Sequence, residues 1–182
     1  MHRWADDLGG TLDAAWARMI DGAAKGGDRG TVSLATLGRD GPEVRTVVLR
    51  RADRGLAEVE IHSDAHAAKV RALEVDPRAA FVLWDAGMRF QIRVRMTVGV
   101  IVGDERRWSI LSDEARWNYG AEPPPGTPIA APGAWERPKR RDGFAALIGT
   151  VESLDTVLLD PAGHRRALFE AADEFAGRWL SP

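Results

Sequence analysis

The stretch RTVVLRRADRG, Arg45 to Gly55, predicts a β-strand that carries positive charge at both ends. Its centre, Thr46 to Leu49, is a run of apolar and β-branched residues, which are enriched in strands. Arg45 precedes the run, and Arg50 and Arg51 follow it. The pattern suits an ordinary buried strand with solvated ends, and it equally suits a strand placed to hold an anion, so the surrounding sequence has to decide.

The length and composition suit a single domain with no strong net charge. The chain has 182 residues, of which 45% are hydrophobic, and 25 basic residues nearly balance 27 acidic ones. We expect a single domain over residues 1–182, and the net charge of -2 gives no general attraction for nucleic acid or an anionic membrane. The absence of cysteine excludes disulfides, and with four histidines a metal site is not expected. No signal-like region opens the chain, so we expect a cytoplasmic protein.

The first 28 residues predict an N-terminal amphipathic helix. Its apolar residues recur at helical spacing, and they are Leu12, Trp16, Met19 and Ile20. Thr11 can cap the start of this helix, and Gly26 with Gly27 can end it.

Residues 31–85 alternate between strand signals and turns. Three β-rich runs, TVSLATL, EVRTVVLRR and GLAEVEIHS, are separated by GRDGP and ADRG, which predicts an antiparallel meander. A short helix follows, with Ser63 or Asp64 as its N-cap and Pro77 just beyond its end. Strand character then returns with AAFVLWD.

The stretch MRFQIRVRMTVGVIVGD, residues 88–104, has the strictest alternation in the chain and predicts a long strand. One face is apolar and comprises Phe90, Ile92, Val94, Met96, Val98, Val100 and Val102. The other face comprises Arg89, Gln91, Arg93 and Arg95. Such a polar row is usually the solvated face of an antiparallel strand, but the amide of Gln91 among the cations also suits a lining for a ligand or a partner subunit.

The last third of the chain predicts a helical stretch, a long loop and closing strands. Residues 104–118 are expected to be helical, and residues 120–142 hold six of the ten prolines, which predicts an irregular loop over the surface or over a site. Closing strands are expected near residues 144–160, 164–171 and 177–182. Many short strands with one inserted helix favour a mainly β fold, an antiparallel barrel with helical additions.

Lys69 and His62 are two further side chains that suit a site. Lys69 lies near the start of the predicted second helix, where backbone N–H groups and the helix dipole favour an anion, and with Arg45 it would form a phosphate grip. His62 ends a predicted strand, where a structural hydrogen bond is its default role, although histidine titrates in the range that acid–base chemistry needs.

The order and spacing of RTVVLR, then HS, then AAK opening a helix that ends in DP, and then FQI on the long strand resemble the pyridoxamine 5'-phosphate oxidase-like flavin-binding split barrels. The resemblance runs from about Thr31 to the end of the chain. It implies an FMN-binding split β-barrel of antiparallel, Greek-key-like topology, with an N-terminal helix and short inserted helices. It also implies a homodimer with flavin mononucleotide (FMN) at the subunit interface.

The resemblance further implies a set of cofactor-binding residues. They are Arg45, Thr46, Val47, Val48, Arg50, His62, Ser63, Lys69, Gln91 and Arg166. Of these, Arg45 and Lys69 match positions that grip the FMN phosphate, and Gln91 matches a residue that contacts the flavin. Arg166 matches a C-terminal Arg that reaches the flavin of the other subunit.

No proton donor is fixed by the resemblance. Arg50, which stands where the family usually has Lys, and His62 are the positioned candidates for a catalytic role, while His164 is a candidate on the substrate side. Arg50 and His62 are therefore catalytic candidates to which no specific reaction step is assigned.

Several departures from the family pattern argue against oxidation of a B6 vitamer. Ala68 replaces the Arg that often precedes the phosphate-binding Lys, and Ala162 stands at the Arg position of the oxidase's Arg-x-His. Val157 lies roughly where a flavin-stacking Trp is expected, and the substrate-side Tyr and Arg that follow the long strand are not evident. The chain is more similar to the uncharacterised, oxidase-related branch of the family.

The leading hypothesis is an FMN-dependent oxidoreductase that acts on an unidentified small molecule. The alternative is a non-catalytic carrier or sensor that binds a flavin, a deazaflavin or haem. A weaker third hypothesis is nucleic-acid binding through the row from Arg89 to Arg95, which the balanced charge disfavours.

Overall fold

The computed structural model describes residues 3–26 and 30–182. The strands in these residues are β1 (Thr31–Gly38), β2 (Gly41–Asp53), β3 (Glu58–Asp64), β4 (Arg78–Asp85), β5 (Phe90–Val102), β6 (Phe144–Leu158), β7 (Arg165–Glu170) and β8 (Arg178–Leu180). The α-helices are α1 (Leu8–Lys25), α2 (Ala68–Val75), α3 (Glu105–Ile110) and α4 (Asp113–Arg116). Short 3-10 turns lie at Arg3–Asp6, Arg141–Gly143 and Ala171–Asp173.

Six of the strands close an antiparallel barrel. The hydrogen-bonded order is β3-β2-β1-β4-β5-β6, and β6 also pairs with β3, which completes the ring. The order β4-β1-β2-β3 within it is a Greek key. The first half of β6 pairs with β3 and its second half with β7, so β7 and β8 extend the sheet beyond the barrel. The predicted mainly β barrel with helical additions is confirmed.

The alternation of β5 decides which side chains fill the barrel. Phe90, Ile92 and Val94 are completely buried, and Arg93 points to the outer face between them. Burial of the predicted apolar face continues as far as Val98. The prediction fails at the end of the strand, where Val102 is 50% exposed.

Helix α1 packs along β2 and buries Trp16 and Met19 in the core. Ile20, which was predicted to face inward, is 42% exposed, since it lies off the buried stripe. The predicted end at Gly26 is confirmed, whereas Gly27 falls outside the described residues. No helix in the described ranges is long and apolar enough to cross a bilayer.

The start of α1 differs from the prediction. Asp7 is the N-cap, and its carboxylate accepts a hydrogen bond from the Gly10 N–H at 2.6 Å. Thr11 lies inside the first turn, and its hydroxyl donates to the Asp7 carbonyl at 2.9 Å. A cap at Thr11 is therefore wrong, because the upstream carboxylate satisfies the free N–H groups one turn earlier.

Helix α2 spans the crossover from β3 to β4 and buries Val70 and Leu73 in the barrel core beside β1 and β5. Its N-cap is Ala67, which offers no side-chain acceptor. The predicted cap at Ser63 or Asp64 is wrong, because β3 continues through both residues.

Residues 104–118 form two short helices instead of the single helical stretch that was predicted. The Asp104 side chain caps α3 by accepting from the Arg107 N–H at 2.7 Å. Leu111 is extended, and the Ser112 hydroxyl then caps α4 by accepting from the Ala115 N–H at 3.1 Å. A second cap inside the sequence restarts the helix, because Ser competes with the helical backbone for hydrogen bonds.

Candidate functional site

Arg45 is fixed near the start of β2 before any ligand binds. Its Nη1 donates to the Thr36 hydroxyl at 2.7 Å and to the Leu34 carbonyl at 3.4 Å, and its Nη2 donates to Glu43 at 2.6 Å. The side chain is 22% exposed. Because a guanidinium has five N–H donors, it retains donors for a ligand.

Lys69 is a second cation close to Arg45. Burial lowers the pKa of Lys69, the charge of Arg45 lowers it further, and the charge of Asp64 acts in the opposite direction. The ammonium makes no hydrogen bond or ion pair with another described residue. Glu43 binds Arg45 and the charge of Asp64 acts on Lys69, but no described carboxylate hydrogen-bonds the Lys69 ammonium. The two cations repel each other, which favours an anion at that place.

The start of α2 adds donors to this pair of cations. Because the N-cap Ala67 has no side-chain acceptor, the first N–H groups of the helix, on Ala68 and Lys69, are not capped. Helical side chains lean toward the N-terminus of their helix, so the Lys69 side chain lies over this end. An anion held by Arg45 and Lys69 would therefore also experience the positive end of the helix dipole.

The strand β2 presents its alternate residues to the outside of the barrel. Thr46 and Arg50 are exposed, Val48 is half-buried, and Val47 faces the core at 9% exposure. Arg50 lies beside Tyr119, the only tyrosine of the chain. Burial raises the pKa of Tyr119, and the charge and a hydrogen bond of Arg50 partly oppose that rise. Tyr119 had no periodic pattern that could connect it with β2 from the sequence.

His62 is covered rather than open to solvent. Its side chain is 8% exposed, its Nε2 lies 2.8 Å from Glu60 Oε1, and its ring meets the edge of Phe144 at a centroid distance of 4.9 Å. The buried Nδ1 has no hydrogen-bond partner among the described residues. Since an ionised carboxylate can only accept, Nε2 carries the proton of this hydrogen bond, and the buried Nδ1 is the ring nitrogen left without a partner in the described part of the chain.

Glu60 is a buried carboxylate that contacts His62, Arg107 and Arg51. Burial by itself raises the pKa of Glu60, but hydrogen bonds from His62 and Arg107, with the charge of Arg107, lower it to about 2. Arg51 approaches the same carboxylate at 3.4 Å. The cluster is an ion-pair network, and the described residues contain no group of three or more His, Cys, Asp or Glu side chains that could hold a metal. Glu60 was missed because strand alternation alone does not show what covers an outer face.

Ser63 and Asp64 face opposite sides of β3. The Ser63 side chain is buried and its hydroxyl donates to the Asp64 carbonyl at 3.0 Å, so any contact of this residue with a ligand falls to its backbone. Asp64 Oδ2 accepts from the N–H groups of Gly120 at 2.7 Å and Ala121 at 3.2 Å. The Pro-rich loop, residues 120–142, is thereby tied at its start to the end of β3.

The two ends of the Pro-rich loop meet at a pair of glycines. A Cβ on Gly143 would lie 2.3 Å from the Cα of Gly120, a distance that no side chain tolerates. The close approach holds the segment that follows β5 over the outer face of β3. The loop was predicted to cover the surface or a site, and it begins next to the His62–Ser63 pair.

Gln91 and Arg166 lie in one row across three neighbouring strands. Gln91 pairs with Val157, and Val157 pairs with Arg166. Trp84, on the other side of Gln91, extends the row and is 47% exposed. Trp84 was not singled out from the sequence, and it supplies an aromatic side chain near the position where Val157 lacks one.

Arg166 is held by a carboxylate of its own subunit. Its Nε and Nη2 donate to the two oxygens of Asp155 at 3.1 and 2.8 Å, and Arg93 binds the same carboxylate. Burial raises the pKa of Asp155, and the two arginines overcome this and lower it. His164 is exposed on the turn between β6 and β7 and makes no contact with this row that fixes its ring.

The predicted site residues thus form two groups on opposite sides of the barrel. Arg45 and Arg50 belong to β2, whereas Gln91 and Arg166 belong to β5 and β7. Lys69 lies on α2, which packs beside β1 and β5, and its ammonium is close enough to Arg45 to be affected by its charge. In the ring β1-β2-β3-β6-β5-β4, three steps in either direction separate β2 from β5. β2 and β5 are therefore opposite strands of the ring.

The sequence between residues 13 and 102 matches a family model described as the FMN-binding domain of pyridoxamine 5'-phosphate oxidase. This stretch includes the β2 group, α2 and Gln91, whereas Arg166 lies beyond it. A match to an FMN-binding domain points to a flavin as the cofactor. No curated protein sequence matches the chain.

Solved structures share the fold over nearly the whole chain. A pyridoxamine 5'-phosphate oxidase-related, FMN-binding protein from Nostoc punctiforme is 23% identical with a TM-score of 0.76, over 95% of this chain and 96% of its own. PhzG from Burkholderia lata, solved with tetrahydrophenazine-1-carboxylic acid, is 16% identical with a TM-score of 0.76, over 100% and 98%. A general stress protein 26-related protein of Clostridium acetobutylicum is 13% identical with a TM-score of 0.59, over 92% and 98%.

These TM-scores establish the shared fold, and the sequence match adds the family. The Greek-key barrel, the N-terminal helix and the crossover helix α2 occur together with the matched domain. The chain belongs to the pyridoxamine 5'-phosphate oxidase-like family of FMN-binding split barrels.

Proposed function

We propose that the chain is a homodimeric, FMN-dependent oxidoreductase that acts on a small molecule. The observation that carries this proposal is the pair of cations Arg45 and Lys69 at the uncapped start of α2. The family match supports a flavin and an oxidoreductase role, and the cation pair fits the phosphate that distinguishes FMN from riboflavin. FMN, when bound, carries the hydride or electrons, and the protein positions it.

The phosphate would be held by charge on the β2 side. Arg45 is preoriented by Thr36 and Glu43, so little side-chain freedom is lost when it donates to a phosphate oxygen. Lys69 is half-buried with its ammonium unpaired among the described residues, so an anion relieves both its desolvation and its repulsion from Arg45. The backbone of Thr46, Val47 and Val48 would run beside the bound cofactor.

The flavin ring would be contacted by residues of the second subunit. Because the β5 side lies opposite the β2 side, a two-fold dimer is the simplest way for Gln91 and Arg166 to reach a flavin held by Arg45 and Lys69. The Gln91 amide offers both a donor and an acceptor to the ring edge. Arg166 stays in place through Asp155, and its positive charge would stabilise negative charge on the ring.

The substrate side differs from that of a B6 vitamer oxidase. Ala162 cannot bind a substrate phosphate as an Arg would, and His164 is exposed without a fixed orientation. Arg50 interacts with Tyr119, and the rings of Tyr119 and His62 both pack against Phe144, at centroid distances of 5.0 and 4.9 Å. We propose Arg50 as the substrate-facing cation, with His62 as a positioning group beneath it.

Reoxidation of the reduced flavin by a substrate distinguishes an oxidoreductase from a non-catalytic carrier. The bound flavin is reduced anaerobically and then mixed with candidate metabolites or with oxygen, and reoxidation is followed at the blue flavin band. An enzyme is expected to show one metabolite that reoxidises the flavin faster than oxygen does. Flavin that stays bound but reacts only with oxygen would favour the non-catalytic carrier or sensor.

A further inference from the structure

The Pro-rich loop and the end of the preceding segment line an open cavity that the proposed function does not use. Its volume is about 350 Å³, which is within the range of small-molecule pockets. Three consecutive prolines, Pro123 to Pro125, line it together with Trp117 and Trp135. The two Trp side chains remain 48% and 38% exposed. Aromatic surface gathered in a recess, unlike a single exposed apolar residue, indicates a binding site.

The shape of this cavity is fixed by the hydrogen bonds of the loop. Asp64 holds the N–H groups of Gly120 and Ala121, and Glu122 and Glu136 exchange two backbone hydrogen bonds of 3.1 and 2.7 Å. The φ angles of the wall prolines are also fixed by their rings. A recess that is formed in advance costs a ligand little ordering free energy.

The charge in the cavity has one sign. Arg137 is the only ionisable residue among the described residues that line it. The guanidinium lies over Trp135, 4.3 Å from the ring centroid, and forms no ion pair in the described part of the chain. Lys139 lies over Trp117 at 4.7 Å, but Asp113 neutralises it at 2.6 Å. An unpaired guanidinium on an aromatic wall suits a ligand that combines a flat ring with an anionic group.

We propose that this recess binds a planar aromatic carboxylate of fused-ring size, with the ring against Trp117 and Trp135 and the carboxylate on Arg137. The site is built from residues of one chain and does not depend on the proposed flavin site. Asp113 and Glu114 line an adjoining recess of about 420 Å³ that shares Trp117, Asn118 and Arg137. An aromatic ammonium ion is therefore the competing ligand class.

Calorimetric titration of the full chain with three probes tests the site. The probes are 2-naphthoate, the neutral 2-naphthamide and the cationic 2-naphthylmethylammonium, each with and without FMN. We expect 2-naphthoate to bind about tenfold or more tightly than the other two, since one charge-assisted contact separates them. Arg137→Gln should abolish this preference, and Trp117→Leu should weaken all three probes. Arg39→Gln, an exposed cation at the β1–β2 turn, should leave the affinities unchanged.

Three results would overturn the proposal. They are failure of 2-naphthoate to bind at millimolar concentration, equal binding by Arg137→Gln, and tighter binding of the ammonium probe. Arg137 and Trp117 are exposed, so both variants are expected to fold, which far-ultraviolet circular dichroism checks. Binding of 2-naphthoate without any retention of FMN would leave this site standing and contradict the proposed function alone.

Discussion

Gln91 and Arg166 stand in one cross-strand row with Val157 between them, roughly 10 Å apart by the usual strand spacing. The pairing register places both side chains on the same face of the sheet, although 75 residues of sequence separate them (166 minus 91). This face lies across the barrel from Arg45. In the proposed site the two groups of residues come from different subunits, so dimer formation is a requirement of the proposal.

A mixed dimer tests that requirement. Arg45→Gln/Lys69→Gln removes the phosphate side, and Gln91→Trp fills the ring side with an indole on an outer face where it does not disturb the core. Each homodimer should lose FMN. Co-expressed with different tags, the purified heterodimer should regain one intact site, or about one FMN per two chains.

The contrary result is equally clear. A heterodimer that forms but retains no FMN would show that both groups of residues do not meet across subunits. Isolation of only monomers at micromolar concentration would contradict the dimer itself.

The phosphate assignment predicts a difference between two flavins. Arg45→Gln and Lys69→Gln should each weaken FMN binding about ten- to a hundredfold, because each removes a charge-assisted contact. Riboflavin, which lacks the phosphate, should bind the variants as it binds the wild type. The measurement is fluorescence quenching of each flavin on titration with protein. Arg106→Gln, an exposed cation on α3, is the control, and an equal loss for riboflavin would refute the assignment.

Gln91→Leu should change the reduction potential of the bound flavin more than its affinity. The amide is expected to contact the ring and not the phosphate, so its loss alters the stabilisation of the reduced ring. Potentiometric titration of wild type and variant measures this shift. Arg95→Gln, on the same face of β5 but four residues further along, should leave the potential unchanged. An unaltered potential in Gln91→Leu would remove Gln91 from the ring contact.

Glu60 predicts a dependence of stability on pH. Its pKa falls from the ordinary value of 4.5 to about 2 in the folded protein, so its contribution is present above about pH 4.5 and is lost as the pH falls through 2. The shift corresponds to roughly 3 kcal/mol of unfolding free energy. Glu60→Gln should therefore destabilise the protein at pH 6, and the difference from wild type should shrink at pH 3.

Urea unfolding at the two pH values measures the Glu60 effect. Glu74→Gln, which changes an exposed carboxylate on α2, is the control and should have little effect at either pH. A wild-type-minus-variant difference that is the same at pH 6 and pH 3 would show that Glu60 is not held ionised by His62 and Arg107.

The barrel could be predicted from the sequence because apolar and polar residues alternate along its strands. The alternation in β5 put Phe90, Ile92 and Val94 inside, and the turn signals set the β1–β2–β3 meander. Helix N-caps were harder to predict, because several short polar residues near each helix start could act as the cap. Asp7 replaced Thr11 for this reason, and Ser112 restarted a helix that was expected to be continuous.

The candidate site could be anticipated only where a pattern or a family resemblance fixed the positions. Arg45 and Lys69 come close because the end of β3 leads directly into α2. Glu60, Tyr119 and Arg107 depend on how the segment after β5 folds back over β3, and that is a tertiary relationship between residues without local periodicity. The exposed Trp84 likewise could be connected with the candidate site only through its strand pairing with Gln91.

The most direct test of the account is the absorbance spectrum of the protein after addition of FMN and desalting. We expect the paired near-ultraviolet and blue flavin bands to remain, at about one FMN per chain, as a site that is repeated in each subunit of a symmetric dimer requires. Folded protein that remains colourless after this treatment would contradict FMN as the cofactor and, with it, the proposed oxidoreductase.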